Sequence, residues 1–267
     1  MLSADAPVQS SKKSMVVYGA YINANADWRS LIRLQLLELQ GVGLLSIADL
    51  HVIVLNPSRE EGVEAFFRSL PVAIEHIAFH EENTFEYRAI SQIWHLANGR
   101  PDYEFIAYLH TKGMSYAKRR RDEKERILTH LTFSTWRDVL HIFDTRADID
   151  KIGLFPAAHD DGRPSGWIWY NFWWARSRYI RTLPRPEVSP DRYYYESWLG
   201  RPQSGGDKIH QSSFSILSYS DKTFLSKEAD DLLRLLRWKR KYRDLYKFRN
   251  FFSYRRVRPI PDFILKE

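Results

Sequence analysis

Between Met15 and Leu109 the chain repeatedly sets a short apolar run beside a stretch with helical spacing, and that alternation leaves few folds open. Met15–Ala20 reads as a first strand ending in small residues. Asp27 then stands where an N-cap would, with Leu31, Leu34, Leu37 and Glu38 following at helical spacing up to Gly41. His51–Leu55 is a second strand, closed by Asn56, Pro57 and Ser58. A helix over Glu60–Leu70 is stopped by Pro71, and Ile74–Phe79 makes a third strand. Glu86–Ala97 is an amphipathic helix capped by Asn98 and Gly99, and Phe105–Leu109 completes the series. Strands and helices at this spacing predict an α/β fold, with a parallel sheet joined by crossover helices.

Beyond this the pattern loosens. Lys118–Arg126 reads as the charged start of a helix, and Ile127–Phe143, with Trp136 inside it, as its apolar continuation. Lys151–Phe155 and Trp169–Ala175 are expected strands, and Arg178–Leu183 a short helix stopped by Pro184. Ile209–Leu217 fits strand or helix, and from Leu232 the chain is helical and basic. The division expected is a frayed tail over 1–14, one domain over 15–225 and a basic helical extension over 226–267. The 267 residues are 44% hydrophobic, ample for a core. No apolar run approaches the ~20 residues of a membrane-spanning helix. Met1–Ser14 does not read as a secretory signal. The absence of cysteine excludes disulfides, thiolate zinc sites and a cysteine nucleophile, and fits a cytosolic protein.

In α/β sheets ligands bind outside the carboxyl ends of the strands. The Phe105–Leu109 strand runs straight into His110-Thr111-Lys112-Gly113. That end offers a hydroxyl, a fixed positive charge and a glycine that lets backbone approach, the groups that hold a phosphate without a metal. The functional reading is a clamp, with Lys112 as point charge and Thr111 and the loop amides as donors; the bland one is a lysine in solvent. Neither G-x-x-x-x-G-K-[ST] nor G-x-G-x-x-G occurs. Downstream, Gly166–Ala175 holds four tryptophans in ten residues. On a strand, Trp167, Trp169, Phe172 and Trp174 would divide between two faces. One face belongs to the core, and the other would offer indole surface to a sugar, making Trp169, Asn171, Trp173 and Trp174 candidate acceptor contacts. Charge for a diphosphate and aromatic surface for rings together suggest an enzyme of nucleotide-linked sugars.

A glycosyl transfer with inversion needs one carboxylate to take the acceptor hydroxyl's proton. Asp160 and Asp161 follow the Lys151–Phe155 strand, where a solvated turn is the alternative. Glu196 stands among aromatics in Asp191–Trp198, where an ion pair with Arg192 is the alternative. His80, His95, His130 and His141 lack ligand spacing, so no zinc site is expected.

Net charge is +7, concentrated in one block: residues 234–258 hold eleven Lys and Arg against one acid, Asp244. A local basic block implies a local anionic partner. Its interleaved aromatics, among them Trp238, Tyr242, Phe248 and Phe251, favour an interfacial membrane helix over nucleic acid. Docking of the helix on its own domain is the third reading.

Three blocks, Tyr108-Leu-His-Thr-Lys-Gly113, Asn171-Phe-Trp-Trp-Ala175 and Arg192-Tyr-Tyr-Tyr-Glu-Ser-Trp-Leu-Gly200, resemble a glycosyltransferase-like family of bacterial polysaccharide and capsule clusters. The resemblance spans about Met15 to Gly200. It implies a GT-A-like, Rossmann-type, mostly parallel sheet flanked by helices, a nucleotide-diphosphate-sugar donor and a polysaccharide or lipid-linked glycan acceptor. The donor's base would lie near Tyr18 to Asn23 and its diphosphate near Lys112 and Arg119, with His110, Thr111 and Gly113 completing the donor site. Proton abstraction would fall to Glu196, Asp160 or Asp161. Where GT-A enzymes carry a metal-holding Asp-x-Asp, this chain has His110-Thr111-Lys112, which leaves a divalent metal few oxygen ligands. The expectation is therefore no metal and no cofactor, and a cytoplasmic enzyme resting peripherally on the inner face of a membrane. The rival functions are a non-catalytic carbohydrate-binding scaffold and a nucleic-acid-binding protein.

Overall fold

The strand β1 (Ser14–Tyr21) is buried over its first seven residues and pairs in parallel with β2 (Ala48–Leu55) on one side and β4 (Phe105–His110) on the other. The protein was analysed as a computed structural model, which describes residues 13–111, 122–158, 165–201 and 212–245. Both faces of β1 are apolar because helices cover both, as in parallel sheets generally. Val16, Tyr18 and Ala20 join the cluster under α1 (Trp28–Gly41), while Met15 and Val17 pack with α3 (Tyr87–Gly99).

The edge strand β3 (His76–His80) is parallel to β2. On the far side of β4 lie β6 (Trp173–Arg176), β5 (Lys151–Gly153) and β7 (Ser213–Ser215), giving the order β3-β2-β1-β4-β6-β5-β7 among the described residues. β6 is antiparallel to both its neighbours, and β5 is parallel to β7. The expected fold class, α/β with a mostly parallel sheet flanked by helices, is the one observed.

Local chemistry accounts for most of the elements. The Asp27 side chain accepts from Ser30 N at 3.1 Å and so caps α1. The buried stripe of α1 is Leu31, Ile32, Leu36 and Leu39, whereas Leu34 and Leu37 face solvent. α2 (Val63–Arg68) is shorter than its apolar pattern, starting after the left-handed Gly62. The single helix expected over Ile127–Phe143 is two, α4 (Asp122–Phe133) and α5 (Trp136–Thr145), broken at Ser134 and Thr135. Such residues divert hydrogen bonds from a helix interior and favour its start.

The expected strand over Trp169–Ala175 is corrected more sharply. Trp169–Asn171 is a 3-10 turn in which Tyr170 (φ 74°) and Asn171 (φ 58°) are left-handed, and the strand begins only at Trp173. α6 (Ser177–Ile180) and α7 (Arg192–Ser197) follow. Finally α8 (Ser226–Leu245) buries Ala229 and Leu233 against the core, so its first turns belong to the packed domain. No helix among the described residues is long and apolar enough to cross a membrane.

Candidate active site at the switch point of the sheet

The chain lays down β1, β2 and β3 outward in one direction, then returns through α3 to place β4 on the other side of β1. The carboxyl ends of β1 and β4 thus meet where strand order reverses, the place at which open α/β sheets bind ligands. Thr111 joins the two ends. Its Oγ1 accepts from Tyr21 N at 2.7 Å and its own N donates to Gly19 O at 3.0 Å. Its hydroxyl is thereby occupied by backbone. Gly19 eases the close approach: a Cβ there would lie 3.2 Å from the Tyr108 hydroxyl and 3.3 Å from His110 Cβ, tighter than ordinary packing.

His110 and Asn171, named separately from sequence, meet at a third residue that sequence reading passed over, Glu86. One oxygen of Glu86 accepts from the Tyr108 hydroxyl at 2.9 Å and from Asn171 Nδ2 at 2.8 Å. The other lies 3.7 Å from His110 Nδ1, an ion-pair contact rather than a hydrogen bond. His110 Nε2 lies 3.2 Å from the carbonyl oxygen of Tyr170. The ring stacks on Tyr108 and tilts against Phe172. Burial, with the Glu86 carboxylate adding to it, pushes the Tyr108 phenol well above its ordinary pKa. Asn171 Nδ2 also reaches Tyr195 O at 3.2 Å, so α7, which carries Glu196, is drawn against the same cluster. Glu196 itself is half-buried. Beside it the Tyr170 phenol is shifted strongly upward, first by burial, then by its hydrogen bond to Asp230, with the Glu196 charge contributing.

The remaining candidates divide. Asn23 lies in the β1–α1 loop at the same edge, its Oδ1 accepting from Asn25 N at 2.9 Å. Tyr18 does not line the crevice. It is fully buried on the α1 side, with its hydroxyl donating to Gln35 Oε1 at 2.8 Å, because the strand's alternation turns it away from the Tyr21 face. The half-buried ring at the crevice end of β1 is that of Tyr21.

Trp173 and Trp174 have no exposed surface. They pack on Tyr108 and Phe133 respectively, since β6 lies inside the sheet with both faces covered. They cannot stack a sugar in this arrangement, and the sequence pattern could not distinguish an interior strand from an exposed one. Trp169 keeps partial exposure and donates from Nε1 to Phe224 O at 2.8 Å. Lys112, Gly113, Arg119, Asp160 and Asp161 lie outside the described residues.

At the described end of β4, His110 faces the Glu86 carboxylate and the Tyr170 carbonyl, and Thr111 holds backbone. No group of three His, Cys, Asp or Glu able to hold a metal occurs among the described residues.

No protein-family model matches the chain. No curated protein matches it either. Among solved structures it is similar to a protein of Desulfovibrio desulfuricans G20 assigned as a nucleotide-diphospho-sugar transferase, at TM-score 0.34 and 14% identity, over 62% of this chain and 64% of that one. It is also similar to S. aureus TarS 1-349, at TM-score 0.38 and 10% identity, over 70% of this chain and 55% of that one. The chain therefore spans less than two thirds of either.

Proposed function

We propose that the protein is a GT-A-like glycosyltransferase moving a sugar from a nucleoside-diphosphate donor to a polysaccharide or lipid-linked glycan. The observation that carries this reading is the switch-point crevice, where the β1 end offers Tyr21 to Asn23 and the β4 end leads through His110 and Thr111 into Lys112. The donor's base lies against Tyr21 and Asn23. Lys112, with Arg119, neutralises the diphosphate in place of a divalent metal.

Glu196 accepts the proton of the acceptor hydroxyl as its oxygen attacks the anomeric carbon, while the nucleoside diphosphate departs with the electrons of the broken glycosidic bond. Asp160 and Asp161 are the alternative bases. Meeting the charge on that leaving group is the main catalytic requirement. Of the aromatic candidates, Trp169 retains surface for an acceptor sugar. The burial of Trp173 and Trp174 weighs against a non-catalytic carbohydrate binder built on that strand. The basic 234–258 segment, entered through α8 with its exposed Trp238, would rest on an anionic membrane surface at the cytoplasmic face.

A thermal-shift panel of UDP, GDP, CMP, dTDP and their sugars, with and without Mn²⁺, tests the donor. One nucleotide should raise the unfolding temperature without metal. Lys112→Ala should remove that shift and cut transfer by roughly 10²–10³-fold, leaving the unfolding temperature of the free protein unchanged. Near-normal turnover in the variant would sink the clamp.

A further inference from the structure

Glu86 is the first residue before α3, and its side chain is only 18% exposed. A carboxylate taken so far from water requires a partner, and Coulomb attraction to a cation is the usual one. Among the described residues the cationic group in ion-pair contact with it is His110, itself 12% exposed. The surroundings of His110 agree. Nε2 faces a carbonyl oxygen, which only accepts, so that nitrogen carries hydrogen; Nδ1 faces the carboxylate. The Glu86 carboxylate charge 3.7 Å from Nδ1, in a little-exposed setting, favours the doubly protonated ring over the neutral form that carries hydrogen on Nε2 alone. From the other elements packed around the ring come the Tyr108 phenol of β4, the Phe172 ring and glycine backbone of β1.

The backbone is strained on both sides of this contact. Phe85, just before Glu86, has φ 51°, and Tyr170 and Asn171 are left-handed in succession. For bulky side chains that conformation costs free energy and persists where surrounding structure enforces it, commonly at functional sites. Here the strain aims the Tyr170 carbonyl at His110 and the Asn171 amide at Glu86.

We propose that Glu86 is a positioning residue which, with the Tyr170 carbonyl, holds His110 as an imidazolium at the end of β4, so that the donor's diphosphate meets a titratable cation there and binds more weakly as pH rises. The donor half rests on the glycosyltransferase reading above; the imidazolium half stands without it. His110 acts through space and by fixing the end of β4, since both its nitrogens are turned to protein groups.

Two measurements separate the halves. The first is a ligand-free NMR titration of the His110 ring, its resonance assigned by loss in His110→Gln. The wild-type midpoint should lie a unit or more above the ordinary value of about 6.5. Glu86→Gln, which retains an acceptor but no charge, should bring it back by a unit or more. Glu86→Asp, which keeps the charge, should retain part of the elevation. A wild-type midpoint at or below the ordinary value overturns the proposal.

The second is calorimetric binding of UDP, GDP, CMP and dTDP from pH 6 to 9, with unfolding temperatures recorded to confirm that each variant folds. Wild-type affinity should fall by about tenfold across the midpoint, as expected when one nearby charge is lost. In Glu86→Gln, which removes a negative charge, the fall should move down toward the ordinary imidazole midpoint of about 6.5 without weaker binding at neutral pH. A raised midpoint with pH-independent binding would make the contact purely structural and overturn the donor half. No binding at any pH would overturn the glycosyltransferase reading instead, while the ring titration still decides the imidazolium.

Discussion

His51 on β2 and Lys151 on β5 are both buried bases, one in each half of the sheet, and the fold accommodates them differently. Lys151 Nζ donates to Gly166 O at 2.7 Å and to the Tyr179 hydroxyl at 3.2 Å, and lies 4.7 Å from the centre of the Tyr179 ring. Tyr179 in turn donates to Leu199 O at 2.7 Å. One lysine thereby fastens the segment entering the Trp169–Asn171 turn to β5, α6 and the end of α7. His51 has no hydrogen-bond partner on either ring nitrogen among the described residues. It touches the rings of His76 and Tyr103, and the Tyr103 hydroxyl is held by Asp49 at 2.8 Å. Polar burial in the antiparallel half builds the wall behind the candidate site. In the parallel half the His51 ring lies away from the crevice and burdens stability, whereas the buried Tyr18–Gln35–Thr129 chain reaches the end of β4 through Gln35 Nε2 and His110 O.

The strongest way to break this comparison is to remove packing from that wall. Trp174 is fully buried on β6, donates from Nε1 to Thr132 O at 3.2 Å and packs against Phe133. Trp174→Ala should cost about 5 kcal/mol in urea unfolding, the upper range for large aromatic truncations. Lys112→Ala, by contrast, should change activity and leave stability alone. A loss below about 1 kcal/mol in Trp174→Ala would mean that the aromatic strand is not the core element described, given the usual cost of such cavities.

The two halves also differ in how much of them sequence reveals. Met15–Leu109 was legible because each strand is a continuous apolar run and the helices carry their own start and stop signals, such as Asp27 at a start and Pro71 and Gly99 at ends. The crevice at the end of β4 followed from the fold class alone. The turn at Trp169–Asn171 was not legible: a run of aromatics has no period to expose a reversal, and nothing in Tyr170 announces a positive φ. Tyr18 was misassigned because proximity to the strand end was weighed without the parity that turns it into the core. Glu86 carried no local signal. Its partners Tyr108, His110 and Asn171 are distant in sequence and meet only through the crossover that places β4 beside β1.

Lys151 sharpens the comparison at alkaline pH. Burial lowers its pKa from 10.5 to about 7, with the Asp150 charge opposing the change. Between those values the unfolded chain holds a proton that the native state releases, so native stability rises with pH across the window and is lost as pH falls back through it. Lys151→Met has no such group. Its stability relative to wild type should therefore fall by on the order of 4 kcal/mol between pH 7 and pH 10, since one proton bound only by the unfolded chain is worth ~1.4 kcal/mol per pH step of one. Parallel pH curves for the two proteins would show that the ammonium remains solvated and that the wall is looser than its contacts imply.

His51 makes the corresponding test in the parallel half, and the window moves to acid. Burial lowers its pKa from 6.5 to about 4, the charge of His76 adds to the effect, and Asp49 opposes it. The unfolded chain binds a proton below about pH 6.5 that the native state refuses until about pH 4. Stability contributed by the neutral ring is complete above the unfolded value and is lost as pH falls through the window. Replacing the ring by an apolar side chain removes the liability, so His51→Leu should gain on the order of 3 kcal/mol relative to wild type between pH 6.5 and pH 4. The gain should appear in urea unfolding measured at each pH. Nucleotide-induced thermal shifts at pH 7 should be unchanged, because His51 has no contact with the crevice. If His51→Leu instead weakened nucleotide binding at neutral pH, His51 would be coupled to the site after all, and its contrast with Lys151 would fail.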